Sequence, residues 1–210
     1  MTRTLILACG LSGEALINAA IRHYIEVNHG ISVVDPLFRE RDSLSTKLFH
    51  LPKETLAKII NVTGKHLHSS ESYVLGWSFG GLAMILQTQC TPIEKAIFVS
   101  PLLGGDTMVL SLIKRILIQF VPALKEAHSQ KTQDKVFEKL KVWKNKGIEI
   151  VFVLPRNGEY VGDNKVVYSQ EVIYKMKEVG IVIFIESIRK HEEMLQNKNF
   201  LDLIKEVIGF

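Results

Sequence analysis

Residues 73–83 read Tyr-Val-Leu-Gly-Trp-Ser-Phe-Gly-Gly-Leu-Ala, and this stretch is the strongest indication of the fold. A strand-like apolar run ends at Gly76, and an apolar segment compatible with a helix follows Gly80. The pattern is that of a G-x-S-x-G turn, in which a strand passes through a sharp turn into a helix. A Cβ at either flanking glycine would crowd so tight a turn. We therefore expect Ser78 at the carboxyl end of a strand, beside a helix N-terminus that favours developing negative charge.

The serine needs partners, because the same stretch could also be an ordinary glycine-rich turn between a strand and its helix. A serine nucleophile is activated by a base, which a carboxylate orients, and on this kind of turn the chain order is serine, acid, histidine. Only His128 and His191 follow Ser78. His191 comes just after the β-branched run 180–186, a predicted strand, whereas His128 lies in a polar segment with no strand before it. His191 is therefore the predicted base, and a solvated loop histidine is the alternative.

The acid is expected after the preceding predicted strand, residues 148–154. The loop that follows this strand carries Glu159 and Asp163. The separation between Asp163 and His191 leaves room for one helix and one strand, so Asp163 is the preferred acid. Glu159 and Asp106, which follows an earlier predicted strand, stay open as alternatives. Asp163 or Glu159 could instead be an ordinary polar turn residue.

The oxyanion hole requires two backbone N–H donors. Phe79, directly after the serine, is expected to supply one of them. Residues 4–13 read as a strand that runs into a glycine-rich loop, and Leu11 in this loop is the predicted second donor, with Cys9 as the alternative register. Trp77, directly before the serine, is assigned to substrate binding.

Strand-like runs alternate with helical stretches along the chain. Strands are predicted near 4–9, 31–35, 72–76, 95–100, 148–154 and 180–186, and helices near 14–27, 52–67, 80–89, 169–178 and 194–208. Such alternation predicts a single α/β domain, residues 1–210, with a mostly parallel sheet and helices on both faces. Ligands of such sheets bind at the carboxyl ends of the strands, where Ser78, Asp163 and His191 are all expected.

These residues together resemble the α/β-hydrolase superfamily, and the resemblance covers most of the chain. Residues 5–13 resemble its first strand and oxyanion loop, and residues 31–37 resemble the next strand and turn. Tyr73 to Ala83 is similar to the Gly-Trp-Ser-x-Gly-Gly motif of pimeloyl-carrier methyl ester esterases and of thioesterase domains. Two features depart from the pattern: the usual His-Gly of the oxyanion loop reads Cys9-Gly10, and residues 38–43 replace a small glycine-rich turn. The resemblance implies a three-layer α/β-hydrolase fold.

The resemblance also implies a small helical cap, which would be inserted at residues 104–147. Residues 108–121 are apolar nearly all round, Pro122 breaks them, and residues 131–146 carry an apolar stripe. The functional expectation is a cap whose apolar face lines an acyl pocket. The alternative is a crossover helix packed on the sheet, with an extra helix beside it.

The second half of this segment is rich in lysine. Its six lysines predict either a docking patch for an acidic acyl-carrier protein or its phosphopantetheine arm, or an ordinary solvated helix face. They are Lys131, Lys135, Lys139, Lys141, Lys144 and Lys146.

Composition excludes several other classes of protein. The net charge of +4 is mild for 210 residues, and no nucleic-acid signature, metal-ligand spacing or phosphate-binding loop is present, so no cofactor is expected. Two cysteines in apolar surroundings, Cys9 and Cys90, suggest free thiols in a reducing compartment. The apolar stretch before Cys9 is too short for a signal peptide, and no run is long enough to span a membrane, so a cytoplasmic location is expected.

The predicted function is that of a serine acyl hydrolase, which cleaves a carboxylic ester or thioester through Ser78, Asp163 and His191 and an acyl-enzyme. The resemblance favours a carrier-bound acyl ester such as a pimeloyl methyl ester. One alternative is a non-catalytic α/β-hydrolase-fold binding protein, which the altered oxyanion loop motivates. The other is an acyl-carrier thioesterase or acyltransferase on the same fold.

Overall fold

Strands and helices alternate through the part of the chain that the structure, a computed structural model, describes. These residues are 4–8, 22–27, 30–34, 72–86, 93–104, 122–156, 159–161, 164–166, 168–185 and 198–208. The strands are β1 (Thr4–Ala8), β2 (Ser32–Val34), β3 (Ser72–Trp77), β4 (Ile93–Val99), β5 (Glu149–Pro155), β6 (Glu159–Val161), β7 (Asn164–Val166) and β8 (Ile181–Ile185). The helices are α1 (Phe79–Leu86), α2 (Pro122–Ala127), α3 (Gln130–Asn145), α4 (Gln170–Val179) and α5 (Lys198–Ile208), and residues 22–27 are also helical.

Six of the strands form one parallel sheet in the order β2-β1-β3-β4-β5-β8. Chain order reverses at β1, because β2 pairs on one side of it and β3 on the other. A parallel sheet with such a switch point offers a crevice at the carboxyl ends of the strands, and ligands of open α/β sheets bind there.

Side chains of the central strands alternate between two cores, one on each face of the sheet. Phe98 and Phe152 point to the face covered by α1, α3 and α4. Val99 and Val153 point to the opposite face, which residues 22–27 and α5 cover. This is a three-layer α/β architecture, and it explains why these strands read as continuous apolar runs.

Helix α3 is the crossover between β4 and β5. Ser129 caps its N-terminus by accepting a hydrogen bond from Thr132 N at 3.1 Å. Its apolar stripe, which includes Leu140 and Trp143, is buried in the core, and the Trp143 ring lies 6.2 Å from that of Phe98. The second half of the predicted cap segment therefore packs on the sheet. Residues 105–121 lie outside the described residues, so a cap remains a prediction for that part of the chain.

All six predicted strands are confirmed, with boundaries within about two residues. The predicted helices near 80–89, 169–178 and 194–208 are confirmed as α1, α4 and α5. The helix predicted at 52–67 lies outside the described residues. The antiparallel pair β6–β7 was not predicted, since its strands are short and largely polar. None of the described helices is both long enough and apolar enough to cross a membrane.

Candidate active site

Ser78 stands in the turn between β3 and α1 with a backbone φ of +50°. Non-glycine residues rarely adopt this left-handed conformation, and a strained strand-to-helix turn is the geometry that exposes a nucleophilic serine. Three backbone hydrogen bonds hold it: Ser78 N–H donates to Val99 O at 3.1 Å, and Ser78 O accepts from Leu82 N at 3.4 Å and Leu102 N at 3.0 Å. The side chain is half-buried, so the residue is fixed in place and still partly open to solvent.

Two glycines allow the strand and the helix to meet at this turn. A Cβ on Gly76 would lie 2.8 Å from the Cα of Gly81, and a Cβ on Gly81 would lie 3.1 Å from the Cβ of Pro101. The first of these contacts is closer than packed atoms tolerate, so Gly76 is required here by the approach of α1 to β3. The sequence interpretation named Gly76 and Gly80, and the close approach in the structure is between Gly76 and Gly81.

The serine lies beside the switch point of the sheet. The last residue of β1, Ala8, pairs with Gly76, two residues before Ser78. The segment after Ala8 carries Leu11, the predicted oxyanion donor, and its alternative Cys9, and both lie outside the described residues. Because this segment starts next to the turn, the prediction of an oxyanion donor from it is compatible with the strand register.

Phe79 is the first residue of α1. The first four N–H groups of a helix have no intrahelical acceptor, and the helix dipole adds positive potential at the same place. The N–H of Phe79 is therefore suited to hold an oxyanion formed at Ser78. This backbone position is the basis of the assignment, which does not depend on the Phe79 side chain.

Backbone hydrogen bonds link the carboxyl ends of neighbouring strands from the turn at Ser78 to β8. Ser78 N donates to Val99 O, Ser100 N donates to Val153 O at 3.0 Å, and Arg156 N donates to Ile185 O at 2.8 Å. Neighbouring strands are about 4.8 Å apart, so the end of β8 lies about 14 Å from the turn at Ser78.

His191 follows Ile185 by six residues and lies outside the described residues. Six residues can span up to about 20 Å. The predicted base is therefore within reach of the Ser78 hydroxyl.

The segment after β5 holds the preferred acid, Asp163, and the alternative Glu159. Its hairpin pairs Val161 with Asn164 and Glu159 with Val166, so Glu159 opens β6. Asp163 lies between these two strands and outside the described residues, as does the third candidate, Asp106. The choice among the three acids stays a prediction.

Tyr168 ties the end of this segment to the strand next to the nucleophile. Its hydroxyl donates to Pro101 O at 2.9 Å, and the side chain is buried. Pro101 follows β4 by two residues. The segment is thus fastened beside β8 at Arg156 and beside β4 at Tyr168, and nothing in the sequence pattern indicated this second attachment.

Trp77 belongs to the core and not to a substrate surface. Its side chain is 1% exposed and packs against Phe200 of α5, with ring centroids 6.5 Å apart. Along β3 it shares a face with Tyr73 and Leu75, as strand alternation requires. Burial of this degree contradicts the predicted substrate contact. The alternation was available in the sequence and would have indicated the core position.

Two of the six lysines in the predicted docking patch bind helix ends. Lys139 Nζ donates at 2.8 Å to the carbonyl oxygen of Leu86, the last residue of α1. Lys144 Nζ donates at 2.6 Å to the carbonyl oxygen of Glu178, which lies in the last turn of α4. The last carbonyls of a helix lack intrahelical donors and favour a cation. These two lysines are therefore structural.

Among the described residues, no group of three or more His, Cys, Asp or Glu side chains is placed to hold a metal ion.

Solved structures of esterases and hydrolases have a similar fold. A carboxylesterase from Nitrososphaera gargenis matches with a TM-score of 0.58 at 11% identity, over 99% of this chain and 90% of that chain. A lipase-esterase related protein from Clostridium acetobutylicum matches with a TM-score of 0.56 at 15% identity, over 98% and 94%. An esterase from Pyrococcus furiosus matches with a TM-score of 0.56 at 12% identity, over 99% and 81%.

The chain therefore has the α/β-hydrolase fold, as the sequence resemblance implied. No family model matches the chain, and no curated protein matches it in sequence. At these identities the structural likeness shows the fold, and the function has to be argued from the site.

Proposed function

We propose that the protein is a serine acyl hydrolase that cleaves a carboxylic ester or thioester, with Ser78 as nucleophile, His191 as base and Asp163 as acid. The observation that carries this proposal is the φ of +50° at Ser78, between a buried parallel strand and the N-terminus of α1. Strain in a non-glycine residue persists only where the surroundings enforce it, and it clusters at functional sites. The solved structures with a similar fold include esterases, which supports the same class of reaction.

The reaction proceeds in two halves. His191 takes the proton from the Ser78 hydroxyl as Oγ attacks the acyl carbon, and the negative charge on the carbonyl oxygen is held by the N–H groups of Phe79 and Leu11. The C–O or C–S bond to the leaving group then breaks, and His191 returns the proton to the departing alkoxide or thiolate. In the second half, water gives a proton to His191 and attacks the acyl carbon of the acyl-enzyme. The bond to Ser78 Oγ then breaks, the carboxylic acid product leaves, and His191 returns a proton to Ser78.

Asp163 has the role of fixing the imidazole of His191 in the tautomer that accepts a proton from serine. The chain order of serine, acid and histidine is that of other enzymes on this fold. The ladder of strand-end hydrogen bonds from Ser78 to Ile185 supports this assignment, because it aligns the starts of the segments that carry the acid and the base.

The substrate class is the finer part of the proposal. The Gly-Trp-Ser-Phe-Gly-Gly sequence favours an acyl group tethered to a carrier, and a pimeloyl methyl ester is one such substrate. A carrier thioester is the neighbouring possibility, since the same triad cleaves both bonds.

Hydrolysis of a matched panel tests the proposal. p-Nitrophenyl esters and pantetheine thioesters of the same acyl chains are incubated with the wild-type protein and with Ser78→Ala, His191→Ala and His128→Ala. We expect Ser78→Ala and His191→Ala to lower kcat on the order of 10⁴-fold or more, whereas His128→Ala retains it. Activity of Ser78→Ala equal to that of wild type would exclude Ser78 as the nucleophile, and a folded wild-type protein that hydrolyses none of the panel would favour a binding protein on the same fold.

A further inference from the structure

One peptide group, Pro101–Leu102, is held at both of its polar ends. Its carbonyl oxygen accepts the hydrogen bond from the Tyr168 hydroxyl at 2.9 Å, and its N–H donates to Ser78 O at 3.0 Å. A planar trans peptide points its C=O and its N–H in opposite directions, and none of the described peptide bonds is cis. The Tyr168 hydroxyl and the Ser78 carbonyl are therefore connected through a single rigid group.

The Ser78 carbonyl belongs to a second peptide group, Ser78–Phe79, whose N–H is the proposed oxyanion donor. This carbonyl accepts two backbone hydrogen bonds, from Leu102 N at 3.0 Å and from Leu82 N at 3.4 Å. The bond from Leu102 has the length of an ordinary hydrogen bond, whereas the helical bond from Leu82 is longer than usual. Leu102 therefore has the larger part in setting the direction of the Ser78 carbonyl, and with it the direction of the Phe79 N–H.

A strained residue precedes the first of these peptide groups. Ser100 has a backbone φ of +41°, in the left-handed region that side chains rarely adopt. Strain of this kind persists only where surrounding contacts enforce it. The buried side chain of Tyr168 supplies one such contact, because its hydroxyl binds the carbonyl of the next residue, Pro101. Loss of this hydroxyl would leave the peptide group with one contact fewer against rotation.

We propose that Tyr168 is a positioning residue of the oxyanion hole, which acts through the peptide groups Pro101–Leu102 and Ser78–Phe79. The inference rests on the proposed function. The hydroxyl fixes the first peptide group, the first group fixes the second, and the second presents the Phe79 N–H to the oxyanion. Each hydrogen bond in such a chain also polarises the next, which strengthens the donor at its end. Misalignment of this donor costs most in the transition state, where the negative charge develops.

Tyr168→Phe tests the inference, because it removes the hydroxyl and keeps the buried ring. With a p-nitrophenyl ester that the wild type hydrolyses, we expect kcat to fall about three- to tenfold, the effect of one neutral hydrogen bond, while KM stays within about twofold. The affinity for a trifluoromethyl ketone of the same acyl chain, which forms a tetrahedral oxyanion on Ser78, should fall by the same factor. Titration of the reactive serine with a fluorophosphonate gives kcat per active molecule, so partial unfolding does not enter the comparison.

Gln133→Met is the matched control. Gln133 is also buried, and its Nε2 donates to Gly104 O at 3.1 Å. This carbonyl lies three residues after Pro101 and is not part of the chain of hydrogen bonds to Phe79. We therefore expect Gln133→Met to lower the melting temperature and to keep kcat within about twofold of wild type. Tyr174→Phe, at an exposed tyrosine of α4, should change neither quantity.

Two results would overturn the inference. One is a kcat of Tyr168→Phe above about one third of the wild-type value per titrated serine. The other is an equal loss of kcat in Gln133→Met, which would show an effect of stability and not of donor alignment. Failure of the proposed function itself appears differently, as a folded wild-type protein that hydrolyses no ester and is not labelled by the fluorophosphonate.

Discussion

Gly76 and Gly81 touch, backbone against backbone, where β3 meets α1. A Cβ on Gly76 would lie 2.8 Å from the Cα of Gly81 and 3.0 Å from the Phe98 ring. Neither neighbour can move without shifting the helix or the core. This contact brings the helix N-terminus next to the strand end, and it places Ser78 in the turn between them.

Gly76→Ala is accordingly expected to lower the free energy of unfolding by about 2–4 kcal/mol, through overpacking against fixed backbone. Gly147→Ala is the matched control. Gly147 has a φ of +81°, and a Cβ added there would meet no atom within 4 Å, so its substitution brings strain without a clash, about 1 kcal/mol. Urea denaturation measures both values. Equal losses in the two variants would show that the close approach at Gly76 is not required.

The positive φ at Ser78 is expected to lower the stability of the protein. Ser78→Gly relieves the positive φ, whereas Ser78→Ala keeps a Cβ in it. The glycine variant is therefore predicted to be about 1 kcal/mol more stable than the alanine variant, after the larger unfolded-state entropy of glycine offsets part of the gain. Thermal unfolding compares the two variants, both of which lack the nucleophile. An alanine variant as stable as the glycine variant would mean that the turn stores no strain at this residue.

Lys139 is expected to stabilise the nucleophile helix from a distant part of the chain. Its ammonium binds the Leu86 carbonyl at the end of α1. Lys139→Met should lower the free energy of unfolding by about 0.5–1.5 kcal/mol. Lys141→Met, at an exposed position of the same helix, should change it by less than about 0.5 kcal/mol. The comparison fails to support a capping role if both variants have the same urea midpoint.

The orientation of α3 separates the lysines that could meet a carrier protein at the site from those that could not. The N-terminus of α3 lies beside Gly104, whose carbonyl accepts a hydrogen bond from Gln133 at 3.1 Å, and Gly104 follows the carboxyl end of β4. The helix then runs about 24 Å towards the amino-terminal ends of the strands, where β5 begins. Lys131 and Lys135 are near the carboxyl ends of the strands, where Ser78 lies, whereas Lys141 and Lys146 are far from these ends.

If a carrier protein docks here, the paired substitution Lys131→Glu and Lys135→Glu should lower kcat/KM for a carrier-tethered acyl ester about three- to tenfold. The same pair should leave kcat/KM for the free ester unchanged. Lys141→Glu with Lys146→Glu is the control pair with equal charge change. Equal effects of the two pairs, or an equal loss on the free ester, would count against docking at the N-terminal end of α3.

The sequence was sufficient for the features that depend on local pattern. Apolar runs bounded by glycine and proline predicted the six parallel strands, and the G-x-S-x-G spacing predicted the turn at Ser78. The predicted substrate role of Trp77 is wrong, because strand alternation places its side chain in the core with Tyr73 and Leu75. The β6–β7 hairpin was missed, since three-residue polar strands have no periodicity to detect.

Features that depend on distant partners could not be predicted. The acceptors of Lys139 and Lys144 lie 53 and 34 residues away along the chain, so a regular run of lysines looked like one surface. No sequence pattern distinguished Ser100, whose burial and positive φ are properties of the folded chain. Tertiary contacts of this kind decide positions that carry no local signal.

The most direct measurement is the site of fluorophosphonate attachment, located by peptide mass spectrometry on the purified, folded protein. An activated serine is predicted to give one adduct, on Ser78, which disappears in Ser78→Ala and becomes far slower in His191→Ala. A folded protein that forms no adduct, or one that carries it on another residue, would contradict the assignment of Ser78 as the nucleophile.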